Sequence, residues 1–216
     1  MILFGVRSPI VVELEESCLR AGLTIRAAVN TGGPSRVTRR DRVISRDDYL
    51  AEEHGDRFIP CAFAPSRRRA LTQSALAMGL TLADALIDPS AIVASTTRIY
   101  PGCYINAGAV IGAVTLVGEG VLINRSASVG HHCIIGEYTS IGPGAVLAGN
   151  VHVGQDVIIG AGAVILPNVR IGDNCVIAAG AIVRRALPAG SIAAGSPART
   201  IRGGSGALAI SRGEDE

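Results

Sequence analysis

The chain contains no tryptophan, and aromatic residues make up only 3% of it, yet 48% of its 216 residues are apolar. A core of that composition is built from Ile, Val, Leu and Ala, and suits a narrow interior that has no space for large rings. No CxxC pair occurs. The five cysteines, Cys18, Cys61, Cys103, Cys133 and Cys175, are odd in number and lack the spacing of a disulfide framework. A reducing cytoplasm is therefore the expected compartment. No apolar run approaches a membrane span, and the opening MILFGVRSPIVVELEE has no basic segment before its short apolar stretch, so it is not read as a signal peptide. Net charge is +2, and no stretch is basic enough for a nucleic-acid footprint. The run Arg67-Arg68-Arg69 is read as a solvated helix face, with an anion-binding patch as the alternative.

What the chain does have is a period of six. An aliphatic residue stands at every sixth position from Val93 and Ile99 through Ile177 to Val183, sixteen in all and without a miss. Two residues before each stands a small or β-branched one, from Ala91 and Thr97 to Cys175 and Ala181. Six fits neither a 3.6-residue helix nor plain strand alternation. It fits a β-solenoid in which each short strand and its corner use six residues. Residues two apart on a strand share a face, so the small and the aliphatic positions both point inward. Cys103, Cys133 and Cys175 fall on the small inward position and are read as core filler. Three hexads close a triangular coil of 18 residues, giving a little over five coils.

Residues 1–85 read as a small α/β domain with a parallel, Rossmann-like sheet. Ile2 to Val6, Thr24 to Val29 and Phe58 to Phe63 are predicted strands. A helix is expected to open at Ser8-Pro9, with Ser8 as N-cap and Gly22 as its end, and Pro65 to Met78 is a second helix stopped by Gly79. Asp47 to Glu53 is a candidate short helix. Residues 86–202 are assigned to the solenoid and a C-terminal extension folded back on it, and 203–216, Gly-rich then acidic, to a disordered tail.

Four histidines bear on chemistry. His54 and His152 read as surface residues, whereas His131 and His132 occupy the corner between inward Val129 and inward Cys133. A shared zinc is disfavoured, because adjacent side chains are expected to diverge. No metal is expected.

The sixteen hexads resemble the hexapeptide-repeat acyltransferases, whose repeats form a left-handed parallel β-helix. Asn124-Arg125-Ser126-Ala127-Ser128-Val129-Gly130-His131-His132-Cys133, Ala148-Gly149-Asn150-Val151 and Gly195-Ser196-Pro197-Ala198-Arg199, behind a small α/β domain, resemble more narrowly the bacterial sugar O- and N-acetyltransferases of the sialic acid and nucleotide-linked amino-sugar branch. That resemblance implies His131 as general base, a role imidazole suits near neutrality. It implies Gly149 at the acetyl group, Ser140, Ala161 and Ala179 along acetyl-CoA, and Asn124 near the acceptor. His132 takes the place of a residue that is usually acidic in the family, and is expected to orient the base or touch the acceptor.

The turns after the three strands depart from the family pattern. Gly5-Val6-Arg7-Ser8-Pro9 replaces a Gly-Ser-Gly-His type turn, Asn30-Thr31 replaces acidic residues, and Phe63-Ala64-Pro65 replaces a Gly-Asn-Asn type turn. Arg7, Ser8 and Asn30 are therefore the candidate acceptor residues, Arg7 and the helix start at Ser8 meeting a phosphate. The expected function is acetyl-CoA-dependent transfer to an amino sugar, nucleotide-linked, by a cytoplasmic homotrimer. The alternatives are a related acyltransferase with a non-nucleotide acceptor and a β-helix scaffold without turnover.

Overall fold

The computed structural model describes residues 1–203; the tail assigned to 203–216 lies outside them save for Gly203. The N-terminal part is a five-stranded parallel sheet. Its elements run β1 (Ile2–Phe4), α1 (Val11–Arg20), β2 (Ala27–Asn30), β3 (Val43–Ser45), α2 (Ala51–His54), β4 (Arg57–Pro60), α3 (Pro65–Ala77) and β5 (Thr81–Leu82), in the spatial order β3-β2-β1-β4-β5. Alternation along β1 sorts its side chains: Leu3 packs with α1, and Ile2 and Phe4 pack on the α3 side. β3 and β5 were not anticipated, being edge strands of three and two residues with no periodicity to read.

α1 starts two residues later than the sequence suggests. Ser8 to Ile10 form a tight turn of their own, with the N–H of Val11 donating to the Ser8 carbonyl, and the N-cap is Ile10 without any side-chain cap. Ser8 is thus not the cap.

From Leu86 onward the chain winds into a left-handed β-helix of seventeen two-residue strands, the last being Ile182–Val183. From Leu86–Ile87 to Val164–Ile165 every strand pairs in parallel with the one 18 residues on, so the strands form three flat sheets. The first face carries outward Leu86, Tyr104, Leu122 and Ser140, the second outward Val110, Ser128 and Val146, and the third outward Leu116, Ile134 and His152. Inward positions are sealed from Cys103 to Val183. The thiols of Cys103, Cys133 and Cys175 each donate to a carbonyl of the next coil, as the hydroxyls of Thr115 and Thr139 do. Ala91, Val93, Thr97 and Ile99 are only half-buried, because among the described residues no coil is stacked beneath the first.

The period does slip after Val183, but winding continues. Leu187 bridges to Ile171, and Ile192–Ala194 pairs in parallel with Val176–Ile177 at a spacing of 16 rather than 18. Only then does Arg199–Arg202 turn back antiparallel.

The N-terminal domain sits on the first face. Leu86, Tyr104 and Leu122 belong to the same apolar cluster as Leu3, Val11, Leu14 and Cys18. Around it, Asp88 accepts from Arg20, Ser17 and Ser90. Burial pushes the Asp88 carboxyl up, but these donors together outweigh it and hold it well below the usual carboxylate range.

Candidate active site

Val129 and Cys133 both point inward, so the corner between them must turn the chain while leaving His131 and His132 outside, and both are exposed. Gly130 opens this corner. A Cβ there would lie 2.7 Å from the carbonyl carbon of Ala148 and 2.8 Å from the nitrogen of Gly149, so only glycine lets the next coil settle on it. His132 takes φ +56°, the left-handed conformation, for which histidine is among the more tolerant residues. The backbone of the pair is pinned on both sides: the His132 N–H donates to the Ala113 carbonyl, and the Asn150 N–H donates to the His131 carbonyl.

The left-handed turn brings the rings together. Nδ1 of His131 lies 3.0 Å from Nδ1 of His132, with the rings near perpendicular. The expected divergence of adjacent side chains does not occur here, because it assumed ordinary strand geometry. Among the described residues no three His, Cys, Asp or Glu side chains converge as a metal site.

The other end of the His131 ring faces Gly149. A Cβ at Gly149 would stand 2.6 Å from Nε2 and 2.7 Å from Cε1 of His131. Glycine is needed there to make room for the imidazole. The Gly149 N–H has no partner among the described residues. An exposed imidazole nitrogen thus stands beside a free backbone donor, a pairing that can remove a proton and hold a developing oxyanion.

The remaining candidates lie elsewhere on the prism. Asn124, Ala161 and Ala179 stand on the edge between first and second faces, His131 and Gly149 on the edge between second and third. Ala161 and Ala179 are exposed and stacked one coil apart. Asn124 is largely buried, its Oδ1 accepting from Asn106 and from the Arg125 N–H.

Ser140 is fully buried in the seam beneath the N-terminal domain, where its hydroxyl donates to the Phe63 carbonyl and accepts from Arg68. Its assignment to acetyl-CoA is therefore corrected, since no face of this side chain is left for a ligand. His152 lies on the flat third face between Ile134 and Arg170, half-buried, and lines an open groove of about 560 Å³. His54 packs near Tyr49.

In the N-terminal domain, Arg7 follows β1 and Asn30 ends β2, and both border Gly33. Asn30 closes its own loop, donating to the Gly33 carbonyl and accepting from the Gly32 N–H. The exposed Arg7 guanidinium lies against Gly33, where a Cβ would come within 2.8 Å of its Nε. Ser8 lies half-buried in the turn before α1, where the N–H groups of Val11, Val12 and Glu13 donate to the carbonyls of Ser8, Pro9 and Ile10, whereas the N–H and hydroxyl of Ser8 have no partner among the described residues.

Sequence reasoning missed Arg68. Only Arg67 of the arginine run is a solvated residue. Arg68 is 1% exposed and spans the seam, donating to the carbonyls of Ala62, Phe63, Gly120 and Tyr138 and to the Ser140 hydroxyl. Burial pushes its guanidinium down to about 10. Arg69 pairs with Asp156 and lies 4.1 Å over the Tyr138 ring. The signal that could have found Arg68 is its place on the stripe of Pro65, Leu71, Thr72 and Ala75, the buried side of α3.

These features can be set beside known proteins. The family model of the bacterial transferase hexapeptide (six repeats) matches residues 115–149 and 150–185. Comparison with curated proteins gives no match. Among solved structures, PerB from Caulobacter crescentus, in complex with CoA and GDP-perosamine, is 31% identical with a TM-score of 0.80, over 92% of this chain and 95% of that one. A mutant of GDP-perosamine N-acetyl transferase from Caulobacter crescentus, in complex with the same two molecules, is 30% identical with a TM-score of 0.81 over the same shares. The acetyltransferase domain of PglB from Neisseria gonorrhoeae FA1090, in complex with acetyl coenzyme A, is 28% identical with a TM-score of 0.82, over 93% of this chain and 98% of that one. With its coils, its N-terminal sheet and relatives of this identity along nearly its whole length, the chain belongs to the hexapeptide-repeat, left-handed β-helix acyltransferases, in the branch of bacterial sugar O- and N-acetyltransferases.

Proposed function

We propose that the protein transfers acetyl from acetyl-CoA to an amino sugar carried by a nucleotide, in the cytoplasm, for surface polysaccharide or glycan synthesis. The observation that carries this reading is the corner where Nε2 of His131 stands beside Gly149 and its free N–H. Acetyl-CoA enters as a substrate. The acceptor nitrogen bonds to the acetyl carbon while its proton passes to Nε2, the carbon–sulfur bond breaks, and the sulfur leaves with that proton. The Gly149 N–H is placed to take the negative charge on the carbonyl oxygen. A covalent enzyme intermediate has no support, because the solenoid thiols face inward and burial pushes Cys133 up and Cys103 up to about 12.

The likeness to proteins solved with CoA and GDP-perosamine supports this donor and this acceptor class. Arg7, with Asn30 ordering the loop beside it, is the proposed phosphate contact, together with the N–H and hydroxyl of Ser8 in the turn before α1. The base edge lies opposite the face that carries the N-terminal domain, and Asn124, Ala161 and Ala179 lie on a second edge. A complete site therefore needs the base edge of one chain and the acceptor domain of another. A homotrimer of cyclic symmetry meets that need, and outward Ile92, Val110 and Val146 give the second face apolar contact surface.

The test is a product screen with acetyl-CoA and a panel of nucleotide-linked amino sugars. Acetylated product is expected, with turnover about a hundredfold lower in His131→Ala, the usual size of a general-base contribution, and unchanged circular dichroism. A variant keeping half its turnover would remove His131 as base. Absence of both product and saturable CoA binding would leave the scaffold reading.

A further inference from the structure

Two ring nitrogens 3.0 Å apart hold one proton between them. With none, two lone pairs face each other; with two, the N–H groups collide. A single proton leaves two arrangements. In one, Nδ1–H of His131 donates to His132, and Nε2 of His131 keeps its lone pair towards Gly149. In the other, Nδ1–H of His132 donates to His131, whose Nε2 then carries hydrogen and cannot accept a proton. Only the first arrangement has a base.

From this geometry we propose that His132 is the positioning residue of the site, with its Nδ1 acting as the neutral acceptor that fixes His131 in the Nδ1–H tautomer. The proposal rests on His131 being the base. Nδ1–H of His131 donates before, during and after the transfer. When Nε2 takes the acceptor's proton, the imidazolium of His131 keeps this hydrogen bond, which strengthens because its donor is then charged. When the proton leaves with the sulfur, the pair returns to its starting state. Nothing else is consumed.

The conformation of residue 132 makes the arrangement possible and dictates the test. At φ +56° alanine, phenylalanine or glutamate would add backbone strain to any loss of the ring, whereas glycine, asparagine and aspartate tolerate that region. In asparagine and aspartate the Oδ1 is bonded to Cγ, as Nδ1 is in histidine, so an acceptor stands where Nδ1 stood. His132→Gly removes the acceptor without strain, and His132→Asn and His132→Asp restore it.

Steady-state kinetics with acetyl-CoA, and nitrogen-15 spectra of the histidine rings without substrate, are the measurements. His132→Gly is expected to lower kcat about tenfold, a fraction of a full general-base effect, with KM for acetyl-CoA unchanged. His132→Asn and His132→Asp should retain most of the turnover. In the unaltered protein the His131 signals should show hydrogen on Nδ1 and none on Nε2, and His132→Gly should lose that preference. Wild-type kcat in His132→Gly, failure of both acceptor variants to rescue, or hydrogen on Nε2 of His131 in the unaltered protein would overturn the proposal. The spectra decide the tautomer even if no acceptor is acetylated, so failure of the broader reading is seen separately.

Discussion

Gly149 is the residue at which two demands meet. Its missing side chain is what lets the His131 ring lie against the next coil, and its N–H is what a thioester oxygen would find there. Gly149→Ala should displace the ring, since a Cβ 2.6 Å from Nε2 cannot coexist with it. A loss of kcat of roughly tenfold to a hundredfold, in the range of a misplaced general base, is expected in steady-state assays, with the coil intact by circular dichroism. Retention of full activity would mean that the ring works from another rotamer. At this scale much was legible. His131 could be singled out because its neighbours on both sides belong to the inward series. The approach of His132 could not, because strand geometry sends adjacent side chains apart and the left-handed corner reverses that.

That corner belongs to a repeated element. Its third residue takes positive φ coil after coil, at Val114, Gly120, Ser126, His132, Tyr138, Gly144, Asn150, Asp156, Gly162, Asn168, Asn174 and Gly180. Gly, Asn and Asp dominate the column, so it could have been read beside the inward series. α3 was legible in extent but not in orientation, because its mixed composition hides which side is buried, and Arg68 passed for a surface charge. Its removal is the sharpest test of the seam. Arg68→Met should cost about 3–5 kcal/mol, since a buried polar group left unsatisfied costs about 1–3 kcal/mol and the carbonyls of Ala62, Gly120 and Tyr138 would lose their donor. Arg69→Ala, which loses only a partly exposed pair, should cost about 1 kcal/mol or less. Denaturant midpoints compare the two, and equal costs would mean that Arg68 is not what fastens the domain. The edge strands β3 and β5 and the slipped last coil stayed hidden because neither has a period to detect.

For the whole molecule, the separation of base edge and acceptor domain makes a prediction that neither part makes alone. Arg7→Ala should raise KM for the acceptor and leave KM for acetyl-CoA nearly unchanged. His131→Ala and Arg7→Ala chains are each impaired, yet a mixed oligomer contains sites built from the intact edge of one and the intact domain of the other. Co-refolded in equal amounts, they should regain about a quarter of the unaltered activity by random assortment in a cyclic oligomer. No recovery would place base and acceptor domain in the same site of one chain, and a monomer mass by light scattering would say the same.

The half-buried first coil has a further consequence. In a solenoid each layer is held by its neighbours, so cohesion is lowest at a layer with a neighbour on one side only. Ala91, Val93, Thr97 and Ile99 form such a layer, while at the far end the slipped coil and its antiparallel return close the stack. Fraying is thus directional, entering at the first coil and moving towards the C-terminus. The histidine corner lies inside the stack, with layers on both sides, so the outermost coil can open without disturbing the distance between the two rings.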